Sequence, residues 1–391
     1  MSGLRHEDVP NRRLTTPTSK TRRARPRARP FFVSASWPAS TAGRIRVVER
    51  TAERPILAID LGGTQIRAAL VTPDRVVHGR RAVPTADEEG VEAVLNRIVE
   101  VAAAVRAQAA ADGFPEPIGV GISSPGPLDP WRGIVRLAPN LAGWRNIPLG
   151  PRVADGLGLP TFLERDTNVA LMGEWRYGAA VGTENAIYLT LSTGLGGAAI
   201  IDGRPLIGTS GTAGEFGHIT VELDGPRCGC GGMGHVESIS SGTALANLGR
   251  ALVAEQPDST LARMAADAPE IDARLVASAA GAGDAGAAAL LSRAWIAFGA
   301  LCASLVNALD PEVIVVGGSI AEHHQAPLFD QIAVEMERRA FPILLNKVRI
   351  VPAALGGDVS LIGSLPIVNE RIDDPAYAFG TTASQQGASI S

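Results

Sequence analysis

Two stretches of the chain follow one plan, and that plan limits the folds open to it. Ile56 to Ile59 is a short apolar run, followed by Asp60, then Leu61-Gly62-Gly63-Thr64, then a second run from Ile66 to Val71. Ala186 to Leu191 is another apolar run, followed by Ser192-Thr193-Gly194-Leu195-Gly196-Gly197 and a second run, Ala198 to Ile201, which ends at Asp202-Gly203. Paired apolar runs around a glycine turn read as a β-hairpin. The same hairpin in each half of a chain points to two related halves facing one another. Helical spacing covers Val91–Ala111 and Ala285–Leu309, the latter stopped at Asp310-Pro311. Strands are expected at Ile118–Ile122 and Glu312–Val316, and a glycine-started helix over Gly357–Val368. Strands alternating with helices make this an α/β protein.

Composition narrows the function. A chain of 391 residues predicts two domains with some excess. Aromatics are only 4%, so the core is built mostly from Ala, Val, Leu and Ile. An unbroken apolar run of about 18 residues, the mark of a membrane span, is not found. Residues 1–54 hold 13 Lys and Arg against 4 Asp and Glu, a net of +9, while the remainder holds 23 against 36, a net of −13. So acidic a body argues against broad nucleic-acid binding. The basic segment, rich in Pro and Arg, reads as a disordered tail, as an extension from an upstream start codon, or as a nucleic-acid arm. Three cysteines in a long chain do not suggest a secreted disulfide framework, and the expected compartment is the cytoplasm. The lysines are Lys20 and Lys347, and neither follows a glycine, so no P-loop exists. If ATP is used, its phosphates are held some other way.

Glycines let backbone N–H groups approach an anion, and Thr or Ser hydroxyls add donors. Asp60, Gly62, Gly63 and Thr64 in one turn, and Ser192, Thr193, Gly194 and Gly196 in the other, could grip a polyphosphate from both sides. Each alone could equally be a plain hairpin. An adjacent carboxylate such as Asp60 can hold Mg²⁺, usually through waters. Gly317-Gly318 follows a buried strand, where a base or ribose could pack, or where the chain simply turns. His218, Cys228, Cys230 and His235 offer two imidazoles and two thiolates, a donor set for a structural zinc; free thiols in a glycine-rich loop are the other reading. Cys302 sits in the apolar helix and is expected in the core. Asp166, in Glu164-Arg165-Asp166-Thr167-Asn168, could cap a helix or act as a base.

Taken together, Asp60-Leu-Gly-Gly-Thr64, Asp166-x-Asn168, Ser192-Thr-Gly-Leu-Gly196 and Gly214-Glu215-Phe216-Gly217-His218…Cys228-x-Cys230-Gly231…Gly234-His235-x-Glu237 strongly resemble the ROK family. That family holds bacterial sugar kinases, glucokinases among them, and sugar-responsive transcriptional repressors. The resemblance runs from Pro55 to about Val368. It implies a two-lobed actin-like, ribonuclease-H-like ATPase fold with a zinc-binding loop. The expected division is a tail (1–54), an N-terminal lobe (55–165) to which the helix at about 357–372 returns, a C-terminal lobe (166–356) with the zinc loop at 214–237, and a loose end (373–391).

The resemblance also implies roles. Asp166 is the general base toward a sugar hydroxyl, the 6-position in aldohexoses. A carboxylate near its ordinary pKa would be ionised at pH 7. Glu215, His218 and Glu237 match positions that contact sugar hydroxyls, and Asn140 and Gly126 lie along the same cleft. His218 would bind zinc through one ring nitrogen and the sugar through the other. The implied ligands are ATP, Mg²⁺, zinc and a small sugar, in a dimer or tetramer of the same chain. Two positions depart from the family: His235 stands where a third cysteine is common, and Arg165 where an Asn commonly precedes the base. Arg165 could donate to the sugar, pair with Glu164, or turn away. Glucose is the default substrate by analogy, with fructose, mannose, N-acetylglucosamine and N-acetylmannosamine as alternatives. A repressor would need an N-terminal helix-turn-helix, and residues 1–54 show prolines at 10, 17, 26, 30 and 38 without that pattern.

Overall fold

The structure, a computed structural model, describes residues 54–374 together with 376 and 377. The expectations for residues 1–53 and for most of 373–391 lie outside the described residues. In chain order the elements are β1 (Ile56–Leu61), β2 (Gln65–Val71), β3 (Val77–Pro84), α1 (Val91–Ala111), β4 (Val120–Ser124), β5 (Leu128–Asp129), β6 (Ile134–Leu137), β7 (Arg145–Ile147), α2 (Leu149–Leu157) and β8 (Thr161–Arg165). There follow α3 (Asp166–Tyr177), β9 (Ala186–Leu191), β10 (Leu195–Ile201), β11 (Arg204–Pro205), α4 (Glu237–Ser240), α5 (Gly242–Glu255), α6 (Thr260–Ala266), α7 (Ala273–Gly281) and α8 (Ala285–Leu309). The described chain closes with β12 (Val313–Gly317), α9 (Ser319–His323), α10 (Gln325–Arg339), β13 (Arg349–Pro352) and α11 (Val359–Arg371).

Two five-stranded sheets carry the fold, and they are wired alike. The first has the order β3-β2-β1-β4-β8 and the second β11-β10-β9-β12-β13. In both, the first three strands in sequence pair antiparallel and the remaining two add in parallel to the first. Central strands buried on both faces need apolar runs rather than alternation, as Ile56–Ile59 and Val313–Val316 supply. A small sheet, β5-β6-β7, is inserted between β4 and α2.

Three buried clusters account for most of the core. One packs α1 and α2 on the outer face of the first sheet, and a second packs α8 and α10 on the outer face of the second. The third joins the inner faces: Ile56 and Ala58 of β1, Tyr188 of β9 and Val315 of β12 meet residues of α3 and α11. Helices α3 and α11 therefore lie between the sheets and hold them together.

Helix α8 is long and apolar enough to cross a membrane by length and composition. It is a core helix here: Ala294, Phe298, Leu301, Cys302 and Val306 are all completely covered. Each such large apolar side chain contributes about 1.5–3 kcal/mol on burial. Cys302 is in this core, as expected, and burial pushes its thiol up to about 12.

Candidate active site

The two glycine turns end up at the same end of the two sheets for a reason of register. In the first hairpin Leu61 faces Ile66 and Asp60 faces Arg67. In the second, Leu191 faces Leu195 and Thr190 faces Gly196. The first turn therefore has four residues, Gly62-Gly63-Thr64-Gln65, and the second three, Ser192-Thr193-Gly194. The first is pinned by Thr85, whose Oγ1 donates to Gly62 O at 2.7 Å and whose N–H donates to Thr64 O at 2.9 Å. The second is pinned by the start of α5: Gly242 N–H donates to Ser192 O at 2.8 Å and Thr243 N–H to Thr193 O at 3.0 Å.

A cavity of about 430 Å³ opens beside the second of these turns, at Ser192; its lining does not include Gly62, Gly63 or Thr64 of the first. Arg67 lines it from the first sheet, and Asp166, Thr167 and Ala170 line it from α3. Thr190, Ser192, Gly318 and Ser319 face it from the second sheet, and Ala353, Gly356 and Gly357 form a further wall. Elements remote in sequence thus converge on Asp166.

Asp166 is the first residue of α3, directly after β8. Its Oδ1 accepts the N–H of Thr167 at 2.7 Å. Crowding by the cleft walls pushes its carboxyl up to about 6. The Thr167 N–H and the Arg165 guanidinium oppose that push, while the charges of Asp60 and Glu215 add to it. Its outer surface stays exposed to solvent through the cleft mouth, so water keeps access to the group. The expectation of an ordinary carboxylate pKa is thus corrected upward. At pH 7 the group remains about nine-tenths ionised.

Asp60 is not a free carboxylate. Its Oδ2 accepts from Arg67 Nη2 at 2.6 Å and Nε at 3.0 Å, and its Oδ1 from Ser123 Oγ at 3.0 Å. Arg67 also donates through Nη1 to Gly357 O at 2.8 Å. Sequence reasoning missed Arg67. The signal was present, because a four-residue turn, 62–65, puts positions 60 and 67 opposite one another, on one face of the sheet.

Arg165 takes none of its three expected options in pure form. Its side chain is 4% exposed and runs to the second lobe. Nη1 donates to Glu215 Oε1 at 2.7 Å, and Nη2 to Ala213 O at 2.6 Å and Gly197 O at 3.0 Å. Its backbone N–H, not its side chain, meets Glu164, at 2.8 Å. Gly126 sits where a Cβ would lie 3.2 Å from Arg165 Cδ, and Gly63 where one would lie 3.2 Å from Asn140 Cβ. Gly126 therefore packs on Arg165, and Asn140 on the first glycine turn. Gly317 ends β12 against Tyr188 and Gly318 follows it against Leu191, with Gly318 and not Gly317 on the cavity wall.

The donor atoms of His218, Cys228, Cys230 and His235 all lie within 4.8 Å of one another. Cys230 Sγ is 3.3 Å from His235 Nδ1, and Cys228 Sγ is 3.8 Å from His218 Nδ1. The loop folds back so that Thr220 lies opposite His235 and Arg227 opposite Met233. A Cβ on Gly232 would come within 2.3 Å of the His235 ring, so a side chain there would expel it. Two sulfurs and two imidazole nitrogens at this spacing fit a tetrahedral zinc. Burial pushes the Cys228 thiol up to about 11, and a zinc ligand there would be its thiolate. His218 Nε2 points the other way, 3.8 Å from Glu215 Oε2. Glu237 turns to the second glycine turn, accepting Leu195 N–H at 3.0 Å, and its Oε1 lies 3.6 Å from Cys228 Sγ.

The model of the ROK family matches residues 56–371. The chain belongs to the ROK family. The glucokinase of Thermotoga maritima is 33% identical over 81% of this chain and 98% of its own length. The ROK hexokinase structure from Thermus thermophilus is 32% identical, covers 82% of this chain and 99% of its own, and superposes with a TM-score of 0.69. A ROK glucokinase from Streptomyces griseus in complex with glucose and AMPPNP is 30% identical over 81% of this chain and 99% of its own, with a TM-score of 0.64. A xylose repressor of Bacillus spizizenii is also similar, at 31% identity over 66% of this chain and 62% of its own length. The duplicated sheets are accordingly those of the two-lobed actin-like ATPase fold.

Proposed function

We propose that this ROK protein is an ATP-dependent sugar kinase, that glucose is its first substrate to test, and that Asp166 is the general base. The observation that carries the reading is the placement of Asp166 in a cavity that residues of both sheets and Ser192 border. Asp166 would take the proton of the sugar hydroxyl as that oxygen attacks the γ-phosphorus, and ADP would leave with the electrons of the broken bond. Phosphoryl transfer asks a protein chiefly for in-line placement and charge neutralisation. Arg67 is the one cationic side chain among the described residues lining the cavity, and it supplies positive charge where no lysine is available.

In the same reading the two turns and Gly318 hold the nucleotide, while Glu215, the free ring nitrogen of His218, Asn140 and Gly126 surround the sugar. Arg165 holds Glu215 rather than the substrate. Zinc on His218, Cys228, Cys230 and His235 would fix the His218 ring so that Nε2 faces the sugar. Mg²⁺ would accompany the nucleotide, with Asp60 as the nearby carboxylate able to hold it through water. The lobes are residues 55–165 with the helix at about 357–372, and residues 166–356.

The test is sugar-dependent ADP release with glucose, fructose, mannose, N-acetylglucosamine and N-acetylmannosamine. Turnover with any one of them, abolished in Asp166→Asn while sugar binding persists, supports the reading. Wild-type rates in Asp166→Asn would remove the base assignment. A repressor would instead shift DNA in a sugar-dependent way and release no ADP.

A further inference from the structure

Helix α3 holds a second carboxylate that the chemistry above does not use. Glu174 lies two turns beyond Asp166 and is completely buried. Among the described residues, no Arg, Lys or His hydrogen-bonds or ion-pairs with it. Its Oε1 accepts the backbone N–H groups of Ala354 at 2.8 Å and Leu355 at 2.9 Å, and its Oε2 accepts that of Ala179 at 2.7 Å. Ala354 and Leu355 belong to the segment after β13 whose neighbours Ala353, Gly356 and Gly357 form one wall of the cavity. A buried carboxylate is costly unless its lone pairs are filled, and here three backbone donors meet them. Gly178 completes the arrangement, because a Cβ there would fall 2.1 Å from Oε2.

The same wall is held at its far end by Arg67, through Gly357 O. One helix therefore presents Asp166 to the cavity from its first turn and, about 12 Å further along, fixes the wall opposite the second glycine turn. We infer that Glu174 is a positioning residue for the nucleotide: it fastens the Ala353–Gly357 wall to the helix that bears the base, so that nucleotide and base are placed by one rigid element. This rests on the nucleotide occupying the cavity. Glu174 touches no substrate itself. Loss of its carboxylate releases two adjacent N–H groups and the wall they belong to, while the sugar side of the cleft, built on Arg165, Glu215 and the His/Cys loop, is left in place.

The experiment uses the full chain with its metal. ADP binding is measured by calorimetry, glucose binding by tryptophan fluorescence, and KM for ATP by coupled assay, in wild type, Glu174→Gln, Glu174→Asp and Glu174→Ala. Glutamine keeps one oxygen able to accept both Ala354 and Leu355, so its KM for ATP stays within about threefold of wild type. Aspartate, one methylene short, and alanine raise KM for ATP and Kd for ADP by about tenfold or more, with glucose affinity within about twofold. If alanine does not fold, the aspartate and glutamine variants decide the matter. Equal loss of sugar and nucleotide affinity, or an aspartate variant that binds ADP as wild type does, overturns the inference. Wild-type protein that binds no ADP would instead remove the nucleotide reading on which it stands.

Discussion

The two hairpins share strand order and pairing and differ by one residue in turn length, yet they have been put to different uses. At the position where the first hairpin carries the cross-strand pair Asp60 and Arg67, the second carries Thr190 and Gly196. The first pair fills its face of the sheet with opposite charges and reaches Gly357. The second leaves its face bare, and α3 beds there: a Cβ on Gly196 would come within 2.8 Å of Thr167 Cγ2. One copy of the motif supplies charge to the cleft, and the other supplies room for the helix that bears Asp166. A duplicated framework can thus build an asymmetric site with very few differences.

The strongest way to break this comparison is at the base the second hairpin makes room for. Asp166→Asn should lower kcat by about 10²–10⁴-fold, the usual contribution of a general base, with sugar affinity little changed. Next in size is the charged hairpin. Arg67→Met should reduce kcat by about 10²-fold and flatten the preference for ADP over AMP in binding, whereas Arg67→Lys should recover part of both. Loss of activity without any change in that preference would make Arg67 purely a partner of Asp60.

The crowded hairpin gives a smaller effect. Gly196→Ala should cost about 1–3 kcal/mol in denaturant unfolding, since the added methyl meets Thr167 with no space to yield. A neutral result would mean that α3 is free to shift, and the division of labour proposed for the hairpins would fall.

The smallest effect is one of pH. Asp166 binds its proton more tightly folded than unfolded, because its folded pKa lies near 6. Its contribution to stability is therefore present at low pH and is lost as pH rises through about 6. Asp166→Asn should raise Tm at pH 8 and have less effect at pH 5, and wild-type kcat should fall about tenfold per pH unit well below 6. A kcat flat down to pH 4.5 would place the proton acceptor elsewhere.

Much of this fold was legible because buried segments write themselves as apolar runs. Val91–Ala111, Ala186–Leu191 and Ala285–Leu309 lie where periodicity put them. Strand β3 was not legible, since Val77–Pro84 is an edge strand with a largely exposed, polar sequence. Nor was it evident that Asp166 opens a helix, because Asp-Thr-Asn suits a loop or a cap as well as a first turn. The His/Cys constellation could be read from spacing because its chemistry is rare, and all four side chains do converge. Arg165 could not be read. Its partners Gly197, Ala213 and Glu215 are 32 to 50 residues away, and only the meeting of the sheets brings them into reach. Glu174 and its partners at 354 and 355 are further apart still.

The helix that follows Gly357 has a consequence for how such a chain comes into being. Leu361 and Leu365 cover Ile56 and Ala58, about three hundred residues upstream. A ribosome must therefore release nearly all of this polypeptide before its earliest strand gains its roof. Until then the nascent chain carries a sticky, unroofed sheet, and a message cut short would yield a product with most of the reacting groups and no chamber to hold them.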